Sequence, residues 1–246
     1  MAETISHSLY NGEINVEFYP NSHRYKVEWE WCQSVTTKLW ILNKRLEQWA
    51  VNQWIDYLKT VECTDDALEK ARYKWTEKKD NAAKTGTGVH DLIEEYISKL
   101  IAGEEPSEPF LIDEEDISCW TAFKKFLLRQ PKFIASELVA YSRIYKYVGK
   151  FDVIYELDWK LFLWDFKTSS GIYKEYVLQC MAYVQALEEE GNYKFDWISI
   201  IRLSKKGWEL EVFELVDREK LEEARQAYIH LSQLSDVYSK IDKWLK

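Results

Sequence analysis

Apolar and polar positions change their period several times along this chain. Residues 13–36 alternate (INVEFYP, then RYKVEWEW), the two-residue period of short strands or a hairpin. From about 37 to 58 the period becomes helical, with Leu39, Leu42, Leu46, Trp49, Ala50, Trp54 and Tyr57 at three- and four-residue spacing. A second helix is predicted over about 65–79, with Asp65 as N-cap and Leu68, Ala71, Arg72 and Trp75 on one stripe. KTGTG at 84–88 reads as a turn, and 89–100 is helical again. The acidic stretch 103–112, with its two prolines, reads as a surface loop, and 117–128 as a helix stopped before Pro131.

The texture then changes. Runs 133–141 (FIASELVAY), 147–157 (YVGKFDVIYEL) and 161–166 (LFLWDF) are strand-like, and 173–187 is helical. A further strand pair is predicted over 195–203 and 208–215, and a long charged helix over 217–246. The order is a mainly helical part, 1–131, followed by β-β-β-α-β-β-α over 132–246. It predicts one α/β domain spanning 1–246, with a central mixed sheet flanked by helices and a helical N-terminal lobe.

Composition narrows the class. With 246 residues, 46 % hydrophobic and 30 % charged, the chain can bury a substantial core. No run approaches the roughly 20 apolar residues of a membrane span, and the first residues lack the pattern of a signal peptide. Cys32, Cys63, Cys119 and Cys180 are scattered without a CxxC pair, so reduced thiols in an intracellular, cytoplasmic protein are expected, and no cysteine-bound metal. The net charge of −9 alone argues against a nucleic-acid partner. The charge is uneven, however: 103–117 holds seven acids and no base, whereas 70–84 holds six bases and two acids.

The candidate chemistry lies in VGKFDVIYELDWKLFLWDFKTSS, residues 148–170. Two strand-like runs carry Asp152 and Asp165 in apolar surroundings, and Lys167 follows two residues after the second. Burying an unpaired charge costs several kcal/mol. If Asp158-Trp159 is a two-residue hairpin loop, Leu157 lies opposite Lys160 and Asp152 opposite Asp165, on one face with Lys167. A longer loop would make the pair diagonal. Trp164 and Phe166 would point to the other face. Two readings follow: a buried Asp–Lys–Asp ion cluster, or a divalent cation held by both carboxylates, for which oxygen donors suit magnesium or manganese.

GKFD, then DFK thirteen residues on, then a helix carrying QCMAY, resembles the PD-(D/E)XK nuclease superfamily. The likeness is to its RecB-type exonuclease branch, which includes lambda-exonuclease-like phage enzymes and the mitochondrial genome maintenance exonuclease. Asp152 matches the acid of G-x-x-D, Asp165 and Lys167 match D/E-x-K, and Gln179 and Tyr183 match Q-x-x-x-Y. Gly86 and His90 match an upstream G-x-x-x-H, and SVT before the first helix is similar to a leader in phage members. The four-cysteine iron–sulfur pattern of some relatives is absent.

The resemblance implies a restriction-endonuclease-like core and a DNA-cleaving site. Asp152, Asp165 and Lys167 would be catalytic. His90, Asp152, Asp165 and the Phe166 carbonyl would hold Mg2+ or Mn2+, and Gln179, Tyr183, Gly86 and Thr87 would serve the substrate. Glu94, one helical turn after His90, and Glu137, in the preceding strand, are further candidates. The implied activity is exonucleolytic hydrolysis of DNA in recombination, repair or replication, with a recombination protein as a possible partner. An endonuclease of the same fold and an idle nucleic-acid-binding or regulatory domain remain as alternatives.

Overall fold

A computed structural model of the chain describes residues 4–42 and 47–245, without the side chains of 47–49, 78–87 and 242. Strands β1 (Ile5–Leu9), β2 (Ile14–Tyr19), β3 (Arg24–Val27) and β4 (Glu30–Ser34) form an antiparallel meander. Ser34 then caps helix α1 (Val35–Leu39), its Oγ accepting from the Thr37 N–H at 3.0 Å. A single 3-10 turn follows at Trp40–Leu42, and α2 is Glu47–Leu58. The helix expected over 37–58 is therefore two helices, and residues 43–46 between them lie outside the description.

Helix α3 runs without a break from Asp65 to Ile101, with Thr64 rather than Asp65 as its cap. The turn expected at 84–88 is not there: Gly86 and Gly88 continue the helix. Glycine lowers helix stability by only about 1 kcal/mol each, and the packing of Val89, Ile93 and Ile97 in the core holds the continuation. Helix α4 (Glu114–Leu127) is capped by Asp113, which accepts from the Glu115 N–H at 2.8 Å.

Strands β5 (Lys132–Ser136) and β6 (Val139–Ser142) are the two halves of one bent run, as are β7 (Tyr147–Lys150) and β8 (Val153–Leu157). β6 pairs with β7, and β5 with β8. At the bend Glu137 has a φ of 55°. There the Glu137 N–H donates to the Asp152 carbonyl at 2.8 Å and the Phe151 N–H to the Leu138 carbonyl at 3.1 Å. Strand β9 (Lys160–Lys167), helix α5 (Lys174–Glu190), strands β10 (Trp197–Leu203) and β11 (Leu210–Leu215) and helix α6 (Arg218–Trp244) complete the chain.

The bend divides what the sequence pattern predicts as one central sheet into two mixed sheets. One has the order β1-β2-β3-β4-β7-β6, with β4 parallel to β7. The other has the order β11-β10-β9-β8-β5, with β9 parallel to β10. The first sheet curls until β1 meets β6, enclosing Val16, Tyr25, Val27, Tyr141 and Val148. The second is covered on both faces. Val153, Phe162, Trp164 and Phe166 pack toward α3 and α4, while Ile154 and Leu163 share the core of α5 and α6. A strand buried on both faces reads as a continuous apolar run, so a charge within β9 is conspicuous.

Candidate active site

Asp158 and Trp159 have φ of 51° and 61°, the two left-handed residues of a type I′ turn. The turn fixes Leu157 opposite Lys160, and the ladder continues to Val153 opposite Trp164. That is the last pair: carried one residue further, the same register would set Asp152 opposite Asp165, but the chain leaves there for the other sheet. The next acceptor the ladder would need for the Phe166 N–H is supplied instead by a side chain: Asp152 Oδ2 accepts it at 2.8 Å. In a strand a residue's N–H and C=O point to the same edge, so the Phe166 carbonyl faces the side on which Asp152 stands.

Asp165 is 1 % exposed. Lys167 Nζ lies 3.0 Å from its Oδ1 and 2.8 Å from its Oδ2, so the ammonium straddles the carboxylate and pairs with both oxygens. Lys167 also donates to Gln179 Oε1 at 3.3 Å and sits over the Tyr176 ring, 4.9 Å from its centroid. Gln179 Nε2 in turn donates to the Tyr183 hydroxyl at 3.2 Å. Both residues lie one turn apart on α5, which places them together beneath the lysine. Gly149 makes room for this arrangement: a Cβ there would lie 2.8 Å from Tyr183 Cε1 and 3.2 Å from Val35 Cγ2.

His90 comes from α3, and its ring packs 4.0 Å from that of Phe166. Glu137 pairs with Lys150 at the bend of the long hairpin. Glu94 exerts its charge on Glu137, Lys150 and Asp152. Gly86 and Thr87 lie in the helical backbone of α3, but their side chains are outside the description.

The electrostatics are those of acids held without enough countercharge. Burial raises the Asp165 carboxyl to about 6 against the pull of Lys167, with Asp152 raising it further. Asp152 is raised as well, by burial first. Burial draws the Lys167 ammonium down, but Asp165 and Asp152 together outweigh it, so the lysine stays protonated. Burial, with Lys167 beside it, lowers His90 to about 4, which keeps the imidazole neutral. Glu137 rises to about 7 through burial and the nearby Asp152.

These donors suit a hard divalent cation. Mg2+ takes one or two carboxylates and keeps much of its water. Two neighbouring carboxylates and a carbonyl on the same edge would provide for that. Among the described residues, however, no group of three or more His, Cys, Asp or Glu is placed around one metal position. His90 stands against Phe166 rather than closing such a group. The concavity lined by Tyr96, Lys99, Phe110 and Trp120 contains none of these residues.

Sequence reasoning passed over Lys150, Gly149 and Tyr176. The first two sit inside GKFD, where a lysine and a glycine adjoining a site aspartate were the available signal. Tyr176 lies one helical turn before the glutamine-bearing face of α5. No protein-family model and no curated protein matches this chain.

Proposed function

We propose that this protein is a divalent-metal-dependent deoxyribonuclease, acting on DNA ends. The observation that carries the reading is Asp165. It is a buried carboxylate with Lys167 astride it and a second acid, Asp152, near enough to raise it further. Two acids beside one ammonium leave a negative charge that a bound cation would balance.

A bound Mg2+ or Mn2+ supplies Lewis acidity toward a phosphate oxygen and makes a bound water more acidic. Asp152 and Asp165 would hold it, with the Phe166 carbonyl on the same edge. Lys167, kept protonated by the two acids, neutralises charge that develops on the phosphate oxygens and orients the attacking water. Gln179 holds the lysine at that point, and Tyr183 holds Gln179. His90, neutral through the physiological range, is available as a nitrogen donor, which favours manganese over magnesium. The likeness of GKFD, DFK and QCMAY to the PD-(D/E)XK nucleases supports the same assignment, with a restriction-endonuclease-like core as its structural counterpart. Among the described residues no helix is long and apolar enough to cross a membrane.

The test uses linear and covalently closed circular DNA, both labelled, with Mn2+. Degradation of the linear molecule alone is expected. Cleavage of closed circles identifies an endonuclease of the same site. Binding of DNA without any cleavage identifies the idle regulatory domain.

A further inference from the structure

The first sheet carries a surface that the chemistry above leaves unused. It encloses Val16, Tyr25 and Val27, so the alternation of a strand puts Glu17 and Tyr19 of β2, with Arg24 and Lys26 of β3, on its outer face. The register aligns them: Tyr19 lies opposite Arg24, and Lys26 lies between Glu17 and Trp31 of β4. Trp31 therefore shares the outer face, where it is 53 % exposed. The Arg24 guanidinium stacks over its indole, 4.0 Å from the ring centroid. The Tyr19 ring leans across β3 to within 5.1 Å of the same indole. Glu17, the acid among these residues, accepts from the Tyr19 hydroxyl at 2.8 Å. Glu30 lies opposite Val27, on the enclosed side of the alternation, and Glu28 accepts from the Asn15 N–H at 2.7 Å.

We propose that this face, centred on Trp31 and Arg24, binds single-stranded DNA. A base stacks on the indole–guanidinium pair, and Arg24 and Lys26 meet the flanking phosphates. The inference rests on the DNA-directed reading above and gives a strand a place to lie outside the buried acids. Charge complementarity assigns the face to a nucleic acid: on a chain of net charge −9 it presents Arg24 and Lys26 against Glu17, which is already engaged. The chemistry selects a single strand. In a duplex the base faces are covered by one another, whereas indole and guanidinium planes offer a stacking surface to any unstacked base. A stacked guanidinium also keeps its N–H edge for a phosphate oxygen. Connectivity agrees with a substrate role: β4 runs parallel to β7 in this sheet, and β7 ends two residues before Asp152.

A labelled oligothymidine of about 12 nucleotides, within the span of one such sheet surface, and a duplex of the same length are titrated with the full chain in EDTA. Fluorescence anisotropy reads binding at several salt concentrations, and a Mn2+ cleavage assay on linear DNA runs beside it. The wild type is expected to bind the oligothymidine. Trp31→Ala and Arg24→Ala are expected to weaken that binding by about 10-fold or more, and Trp31→Phe to keep most of it. Trp31→Ala is expected to change duplex binding by less than about 2-fold, because no base is free to stack. Lys26→Gln is expected to lower the salt slope on the oligothymidine by about 0.7, one phosphate contact. Circular dichroism checks that each variant is folded, which the exposure of Trp31 favours. A Trp31→Ala protein that binds the oligothymidine as the wild type does overturns the proposal, as does an equal loss on strand and duplex. A wild type that cleaves DNA but does not bind the oligothymidine overturns this inference alone. A wild type that neither binds nor cleaves DNA overturns the DNA-directed reading, and this inference with it.

Discussion

The Phe166 N–H donates to Asp152 Oδ2 at 2.8 Å. The bond joins the point where β8 departs to the point where β9 continues, so one carboxylate both ends a ladder and stands near Asp165. Structural and chemical roles of Asp152 can be separated because an amide retains an acceptor oxygen and an alanine does not.

Asp152→Asn is accordingly expected to fold with near-native stability and to lose DNA hydrolysis by about 100-fold or more, since it loses charge toward the cation. Asp152→Ala is expected to lose activity equally and in addition about 1–3 kcal/mol of stability, through the unsatisfied Phe166 N–H. Urea unfolding beside a cleavage assay distinguishes the two variants.

The pH dependence of metal-free stability follows from opposing groups. Asp165, raised from 3.8 to about 6, contributes stability that is full below pH 3.8 and lost as pH rises through about 6. Glu137, raised from 4.5 to about 7, has the same sign. His90, lowered from 6.5 to about 4, contributes stability present above pH 6.5 and lost as pH falls through about 4. Between pH 4 and 6.5 His90 offsets only part of the loss from the two acids, and wild-type stability is expected to fall by about 2 kcal/mol. In His90→Asn the two acids act alone, and the fall is expected to be on the order of 5 kcal/mol across that window. Urea unfolding in EDTA at several pH values measures it; a variant whose stability rises with pH would contradict the assignment.

Gly149→Ala tests the room left for Tyr183. The added Cβ meets ring and aliphatic atoms at 2.8 and 3.2 Å in a packed core, so a loss of about 1–3 kcal/mol is expected. Because Tyr183 supports Gln179 and Gln179 supports Lys167, activity is expected to fall by about 10-fold at temperatures where the variant is fully folded. A variant with wild-type turnover would show that the relay from Tyr183 to Lys167 carries nothing.

The hairpin turn is improvable. Asp158 and Trp159 both occupy left-handed conformations, and Trp159 is 92 % exposed. Asp158→Asn with Trp159→Gly gives the sequence that such turns favour. A gain of about 0.5–1 kcal/mol is expected in thermal unfolding, with activity unchanged because the register is the same.

The hairpin register was legible in the sequence because period and turn length agree: counting back from Asp158-Trp159 pairs Asp152 with Asp165, and the observed ladder has that register. The alternation that sends Trp164 and Phe166 to the face opposite Asp165 was legible for the same reason. The bend at Glu137 and Phe151–Asp152 was not. Both arms keep strand character on either side of it, and no proline or glycine marks Glu137. The division into two sheets, set by pairings such as β4 with β7, was hidden with it. The unbroken α3 was masked by glycines that signal a turn locally but are overridden by the burial of Val89, Ile93 and Ile97. Lys150 lay in plain view inside GKFD, but its partner Glu137 is thirteen residues away and reaches it only through the hairpin.

The central claim is tested most directly by incubating end-labelled linear DNA with wild type, Asp165→Asn and Lys167→Ala in Mn2+, with and without EDTA. The account predicts mononucleotide or short-oligonucleotide release by the wild type only, abolished by EDTA and reduced at least 100-fold in both variants. An Asp165→Asn protein that degrades DNA at the wild-type rate, or a folded, manganese-loaded wild type that leaves DNA intact, would contradict it.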